Sequence, residues 1–483
     1  MRKTGDGFFF YLREENGQMY IKELSEIDGI AQARMVKEGA VSQEEVLLHY
    51  RMIQEERNPE LNAIVHEVKN ADYRKDGFFA GLPFLIKDLN AVKGAPLTYG
   101  SKVMEGFTAP GDEEIVRRYK KAGLNITGKT NTPEFGFTPA TESQFLGETI
   151  NPWDRTRSPG GSSGGAAVAV AAGMVPFAHG SDGGGSLRIP ASNTGTFGFK
   201  PTRGRSPLTM YLNSLSVQHA LTTSVRDSAA LLDVIEGPVP GTGYGFPEKD
   251  LPFFDTIGES PGKLKIAYAP NVHGNIEIDE EVQEVVRDAA EKCASLGHEV
   301  EEVYPDFDHD GMMEAYIYLW VVGGALSVDK AASANNKAPA DPFIEKMLST
   351  LKEKAAGYSA LEYEKAREKV FLETQKLDRF FEEYDVLINP VNHKKALPLG
   401  RYNGEEKTID EILSVSEIYA YLTPIANMTG QPAMSVPTYW TKENLPIGSH
   451  FQARYGRDKV LFQLARQLEE AFPWKEKYKE IRG

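Results

Sequence analysis

Apolar and polar positions along this 483-residue chain repeat with two periods, one helical and one extended. Ile27 to Lys37 and Ser42 to Arg57 recur at helical spacing, and the second opens on Ser42-Gln-Glu-Glu45, the pattern of a capping box. Leu82 to Ile86 is an apolar run of strand length, Glu114 to Ala122 predicts a helix, and Leu124 to Thr127 a strand. Ala166 to Ala172, dense in alanine and broken only by Val168 and Val170, predicts a buried helix stopping at Gly173, followed by a short buried strand over Met174 to Ala178. Beyond it come a helix over Ser224 to Ile235 and a Gly- and Pro-rich connection over Gly237 to Pro261. Lys263 to Ala269, Glu280 to Ser295 and Glu299 to Val303 then read as strand, helix and strand. A mainly helical segment spans about 310–383, Val386 to Ile388 and Ala433 to Val436 return to strand, and Lys459 to Phe472 closes the chain as a helix. Strands alternating with helices predict an α/β fold, a single large domain with a mixed twisted sheet covered by helices. At the N-terminus Asn16-Gly17 between two apolar runs signals a hairpin, so residues 1–24 read as an extension on a domain of residues 25–483.

Composition narrows the partners. The formal net charge of −15 argues against nucleic acid, whose phosphates require a basic surface. No stretch reaches the roughly 18 uninterrupted apolar residues of a membrane span, and the basic N-terminus lacks a sustained apolar core, so no membrane is expected. A single cysteine, Cys293, excludes an internal disulfide and fits a cytoplasmic protein. Nine histidines are scattered without H-x-x-H spacing, so no metal is expected.

Candidate chemistry concentrates between Gly160 and Arg205, where Ser162 and Ser186 sit in glycine-rich turns at the two ends of the helix-plus-strand unit. Gly183, Gly184 and Gly185 directly precede Ser186, and three unencumbered residues can turn several N–H groups toward one point. Such a nest suits an oxyanion hole of Gly183, Gly184, Gly185 and Ser186, each donor being worth about 3 kcal/mol to a transition state, with Ser186 as nucleophile. A serine needs a base, and Lys87, ending the apolar strand Leu82 to Ile86, can lose its charge if buried there. Two expressions compete. Gly160-Gly-Ser162-Ser-Gly164 fits a nucleophile elbow but lacks the hydrophobic strand an elbow follows, and Gly123 to Thr130 fits a P-loop but follows a helix instead of opening one.

With Lys87, Ser162 and Ser186 in view, the chain resembles the amidase signature family, matching GGSSGG, DxGGS and GxKPTxGR in order, with P-x-x-x-K-D upstream. Gly128-Lys-Thr-Asn131, Ser224-Val-Arg-Asp227, Tyr384-Asp-Val-Leu387 and Met428-Thr-Gly-Gln-Pro432 extend the likeness to roughly residues 25–474. The resemblance implies a Ser–cis-Ser–Lys triad: Ser186 nucleophile, Ser162 relay after a cis peptide bond, and Lys87 base. It also implies that Asp182 and Arg188 brace the nest by a charge-assisted bond. Ala166, Leu89 and Thr194 depart from the commonest pattern and bear on pocket shape, not on the triad. Asn151-Pro-Trp153 and the tail Pro446 to Arg457 look most like bacterial amidases of the 6-aminohexanoate cyclic-dimer hydrolase type. The implied activity is hydrolysis of a small-molecule amide, linear or cyclic, through an acyl-enzyme with no cofactor, and a homodimer is compatible with it. The family also contains A-type components of tRNA-dependent amidotransferases, which is the competing reading.

Overall fold

The computed structural model describes the chain apart from residues 1, 4–8, 11, 16–17, 70–71, 208–214, 242–244, 272–273, 275, 341, 403–418 and 483, with backbone alone for residues 2–3, 9–10, 12–15, 18–20 and 22. At its centre lies an eleven-stranded sheet. Its spatial order is Glu299–Glu302, Lys265–Tyr268, Val386–Pro390, Pro446–Ala453, Ala433–Trp440, Phe197–Lys200, Val217–Thr222, Phe177–Asp182, Pro83–Lys87, Asn125–Thr130 and Ile64–Glu67. Two parallel pairs lie towards each side, antiparallel pairs fill the middle, and the edge strand Ile64–Glu67 joins antiparallel, so the sheet is mixed, in a single large α/β domain.

Two parallel neighbours place the chemistry. Pro83–Lys87 and Phe177–Asp182 run side by side with Ala178 opposite Leu85, so Lys87 and Asp182 emerge at the same edge, where open α/β sheets hold their sites. The strand before the glycines lies later than its residues predict. Gly173 adopts φ +73° and ends the helix Gly164–Ala171, Met174 N–H donates back to Ala169 O, and extended pairing begins only at Phe177. All eight residues of that helix are buried, which explains its alanines: small side chains let it pack against the strand Phe177–Asp182 and the helix Arg188–Thr194.

Four strands of this sheet escaped the period analysis: Ile64–Glu67, Phe197–Lys200, Val217–Thr222 and Pro446–Ala453. The last three are buried at every position, so no alternation marks them. Ser42 closes the capping box with Glu45 and starts the helix Gln43–Leu61. Leu12–Glu15 and Gln18–Ile21 pair antiparallel with Glu15 opposite Gln18; the Asn16-Gly17 turn lies outside the described residues. Within the mainly helical segment run His309–Ala334, Lys346–Ala356 and Ala360–Glu383. His309–Ala334 is long and apolar enough to cross a membrane by length and composition; here half its length is buried against the other two helices and the site. The P-loop expression dissolves, because Gly128, Lys129 and Thr130 are strand residues and Lys129 is buried with its Nζ 2.7 Å from Asp88 Oδ1.

The C-terminal helix Asp458–Ala471 is fastened to the sheet by Phe462, which stacks on Phe199 at 4.0 Å between centroids and 12° between planes, both rings fully buried. Phe462→Ala is expected to destabilise the domain by about 4 kcal/mol, through lost transfer energy and the cavity left behind. A urea titration followed by tryptophan fluorescence reads this as a lowered midpoint.

Candidate active site

Lys87 ends its strand fully buried, and its Nζ lies 2.7 Å from Ser162 Oγ, 3.0 Å from Ser163 Oγ and 3.1 Å from Ser181 Oγ. Ser162 Oγ in turn lies 2.9 Å from Ser186 Oγ, so an unbroken chain of polar atoms joins the amine to the second serine. The Gly161–Ser162 peptide is cis. Burial removes the water that would stabilise an ammonium and draws the Lys87 pKa down to about 7, the Asp182 carboxylate acting the other way. The adjacent carboxylate of Asp88 is engaged by Lys129 and Thr98.

Sequence reasoning missed Ser181 and saw Ser163 only as part of the elbow expression. Ser181 carries a weak signal, a polar residue at the end of a buried strand five residues before Ser186. His179, on the same strand, is held neutral: burial drops its pKa to about 3, its Nδ1 accepts the Lys87 backbone N–H at 3.3 Å, and its Nε2 lies 3.0 Å from Gln218 Oε1.

The turn after the strand is built around Asp182. Arg188 grips it with two parallel bonds of 2.9 Å, Nε to Oδ2 and an η-nitrogen to Oδ1, with both side chains fully buried. Gly185 N–H donates to Oδ1 at 2.7 Å and Leu187 N–H to Oδ2 at 3.2 Å. Burial alone would raise the Asp182 pKa; the charge and hydrogen bonds of Arg188 override it and hold the carboxyl well below its usual range. Arg188 also donates to Thr423 O and Asn427 Oδ1 and lies 3.0 Å from His450 Nε2, which ties the turn to the C-terminal part of the chain.

The nest is therefore narrower than the glycine run suggests. Gly185, at φ +129°, turns its N–H inward to Asp182, while Gly183, Gly184 and Ser186 line the cavity. Tyr316 and Thr423 approach the same turn, Tyr316 Oη at 3.4 Å from Gly183 O and Thr423 Oγ1 at 2.6 Å from Gly184 O. The cavity, about 470 Å³, is walled largely by apolar and aromatic side chains, including Leu89, Met104, Phe107, Phe135, Phe137, Ile317 and Trp320. Its floor contains Ser162, Ser181 and Ser186. Among the described residues no group of three or more His, Cys, Asp or Glu is clustered so as to hold a metal.

The mixed α/β sheet thus brings serine hydroxyls and a buried lysine together at one set of strand ends, beside a glycine-rich turn. The Amidase family model matches residues 50–462, and the chain belongs to that family. It is 34% identical over 473 residues to the 6-aminohexanoate-cyclic-dimer hydrolase of Paenarthrobacter ureafaciens, covering 92% of this chain and 95% of that one. It is also 35% identical over 431 residues to the A-type component of the glutamyl-tRNA(Gln) amidotransferase from a Cyanothece species, covering 84% and 87%. A solved 6-aminohexanoate cyclic dimer hydrolase complexed with substrate superposes with a TM-score of 0.90 at 32% identity, over 95% of this chain and all of that one. The protein is an amide hydrolase acting on carbon–nitrogen bonds other than peptide bonds.

Gly184 has no room for a side chain: a Cβ there would lie 2.1 Å from Tyr316 Oη and 3.0 Å from its Cζ. Gly184→Ala is expected to lower kcat by about a hundredfold, because the turn carrying Ser186 must shift to clear Tyr316. Adding Tyr316→Phe, which removes the clashing oxygen, is expected to return part of that loss. Steady-state kinetics of the two single variants and the double variant give the coupling.

Proposed function

We propose that the chain hydrolyses a carboxamide through a seryl acyl-enzyme, with Ser186 as nucleophile, Ser162 as relay and Lys87 as base. The observation that carries this reading is the continuous path from Lys87 Nζ through Ser162 Oγ to Ser186 Oγ, with both steps inside hydrogen-bond distance. Neutral Lys87 accepts the Ser162 proton as Ser162 accepts that of Ser186, and Ser186 Oγ bonds to the carbonyl carbon. The oxygen that gains charge meets the N–H groups of Gly183, Gly184 and Ser186, while Gly185 contributes indirectly by fixing the turn on Asp182. As the carbon–nitrogen bond breaks, Ser162 passes a proton to the departing amine. Water then adds to the ester with its proton moving to the same relay, and the carboxylic acid leaves with Ser186 restored. These steps use only the chain's own groups and water.

The neutral, doubly engaged His179 weighs against a histidine base. The largely apolar cavity supports an apolar linear or cyclic amide, in keeping with relatives named for a cyclic dimer of 6-aminohexanoate. The competing reading, an A-type component within a tRNA-handling assembly, rests on the amidotransferase likeness, and the acidic net charge of −15 weighs against an RNA partner. The buried, unpaired Cys293, its thiol pushed up to about 12 by burial, suits a cytoplasmic setting, and a homodimer remains compatible.

The chain purified alone is expected to turn over a simple aryl amide, with activity coeluting with this single polypeptide on size exclusion. Activity that appears only when other polypeptides are supplied would favour the competing reading. Ser186→Ala is expected to lose both turnover and labelling by a fluorophosphonate; labelling retained on Ser162 in that variant would reverse the two roles. Lys87 must be neutral to accept a proton, so with its pKa drawn to about 7 the rate should be low below that pH, rise through it and level off above. A pH profile of kcat/KM checks this: Lys87→Ala should lower the rate and abolish the limb, and a limb that survives would identify a different base.

A further inference from the structure

Most hydroxyls of the cavity wall give their hydrogen to the chain itself. Thr138 Oγ1 donates to Ala140 O at 2.7 Å, Ser327 Oγ to Gly323 O at 2.9 Å and Tyr316 Oη to Gly183 O at 3.4 Å. Away from the serines around Lys87, two hydroxyls of the wall have no partner among the described residues, those of Ser216 and Tyr99. Ser216 lies against Gly183, where an added Cβ would come 4.0 Å from its Oγ. Tyr99 lies elsewhere in the wall and is held much more tightly.

The Tyr99 N–H donates to Asp88 O at 3.1 Å, and Tyr99 O accepts the Phe135 N–H at 2.6 Å. The two rings stack with centroids 5.5 Å apart and planes at 24°. Both residues adopt positive φ, +53° and +52°, which bulky side chains rarely take, and strain of this kind collects where groups must be preorganised. The stack fixes the side chain and leaves its hydroxyl unbonded, and that oxygen is not sealed from solvent. Burial, with the carboxylates of Glu113 and Asp88 nearby, nevertheless pushes its pKa above the usual tyrosine value. A hydroxyl in open water would feel no such burial, so this one faces the enclosed cavity, and it keeps its hydrogen at neutral pH. A fixed, neutral donor in an apolar wall is satisfied only by an acceptor that a ligand brings, and such sites discriminate against ligands lacking one.

Its place in the wall selects the half of the substrate it meets. Phe135 precedes Gly136, where an added Cβ would lie 3.1 Å from Ser162 Oγ. Ser162 is the group that passes a proton to the departing amine, so the stacked pair lies on the amine side of the bond to be broken.

We infer that Tyr99 donates a hydrogen bond to a carbonyl on the amine half of the substrate, so that the enzyme prefers amides whose departing amine carries a second carbonyl group. This rests on the amide-hydrolase reading above and adds the substrate class to it. Tyr99 acts on binding and touches none of the reacting atoms.

The test uses N-octylhexanamide and a set of analogues in which each inner methylene of the octyl chain is replaced in turn by a carbonyl, with hexanoate release followed by mass spectrometry. Wild type is expected to favour at least one ketone over the parent amide by about fivefold in kcat/KM, the scale of one neutral hydrogen bond, expressed mainly in KM. Tyr99→Phe keeps the ring for the stack and removes only the hydroxyl, and should bring that ratio close to one. No preference for any ketone in wild type, or a preference unchanged in Tyr99→Phe, overturns the inference. A second readout needs no turnover: in a Ser186→Ala background at least one ketone should raise the melting temperature more than the parent does, and Tyr99→Phe should erase the difference. Equal stabilisation by the parent and every ketone overturns the inference even where none is cleaved. The ketone preference intact without cleavage supports it and counts against the hydrolytic reading alone.

Discussion

The buried ion pair of Asp182 and Arg188 is the constraint on which the rest of the site depends. Two charges taken wholly out of water must find partners for every lone pair and proton, and leaving either one alone would cost about 3–5 kcal/mol. Asp182 meets this by taking the Arg188 fork, the N–H groups of Gly185 and Leu187, and the Asn427 amide. Those bonds define the turn between strand and helix, and Ser186 is the residue at its apex. Arg188 satisfies its remaining donors on Thr423 and Asn427, far along the chain, so a local turn is locked by distant segments.

Asp182 also bears on the lysine. Burial lowers the Lys87 pKa, the Asp182 carboxylate opposes this without offsetting it, and the amine settles near pKa 7. Asp88, next in sequence, is engaged by Lys129. A lysine surrounded by hydroxyls, with its neighbouring acids occupied elsewhere, can shed its proton at neutral pH without losing a hydrogen-bond partner. Lys200 shows that a lowered pKa is not enough: burial also draws it to about 7, yet its Nζ donates to Pro201 O and meets no serine.

Most of the cavity wall belongs to other parts of the chain. The aromatic and aliphatic wall comes from the loops around Tyr99 to Phe107 and Phe135 to Phe137 and from the helix His309–Ala334, whose apolar length serves a cavity and a core. Lys87, Ser181 and Asp182 sit on strand ends that the sheet holds, while the apolar wall comes from connections and added helices.

The sequence by itself determined the class of fold and where the chemistry would be sought. Gln43–Leu61 announces itself through periodicity and its cap, and Glu280–Ser295 through periodicity, because those signals lie within a few residues of one another. The short motifs around Lys87, Ser162 and Ser186 were legible for the same reason. Three strands buried at every position were not, since alternation disappears when neither face meets water and polar residues or glycine interrupt their apolar runs, unlike that of Pro83–Lys87. Tertiary structure alone decided which hydroxyls surround Lys87, that Gly185 serves Asp182 in place of the cavity, and that Glu113 shares a wall with Asn90 and Gln218. The first and the last of these depend on groups from separate segments meeting within 3.1 Å, and all three on which hydrogens are already given to a neighbour. Neither quantity is written in the order of residues along the chain.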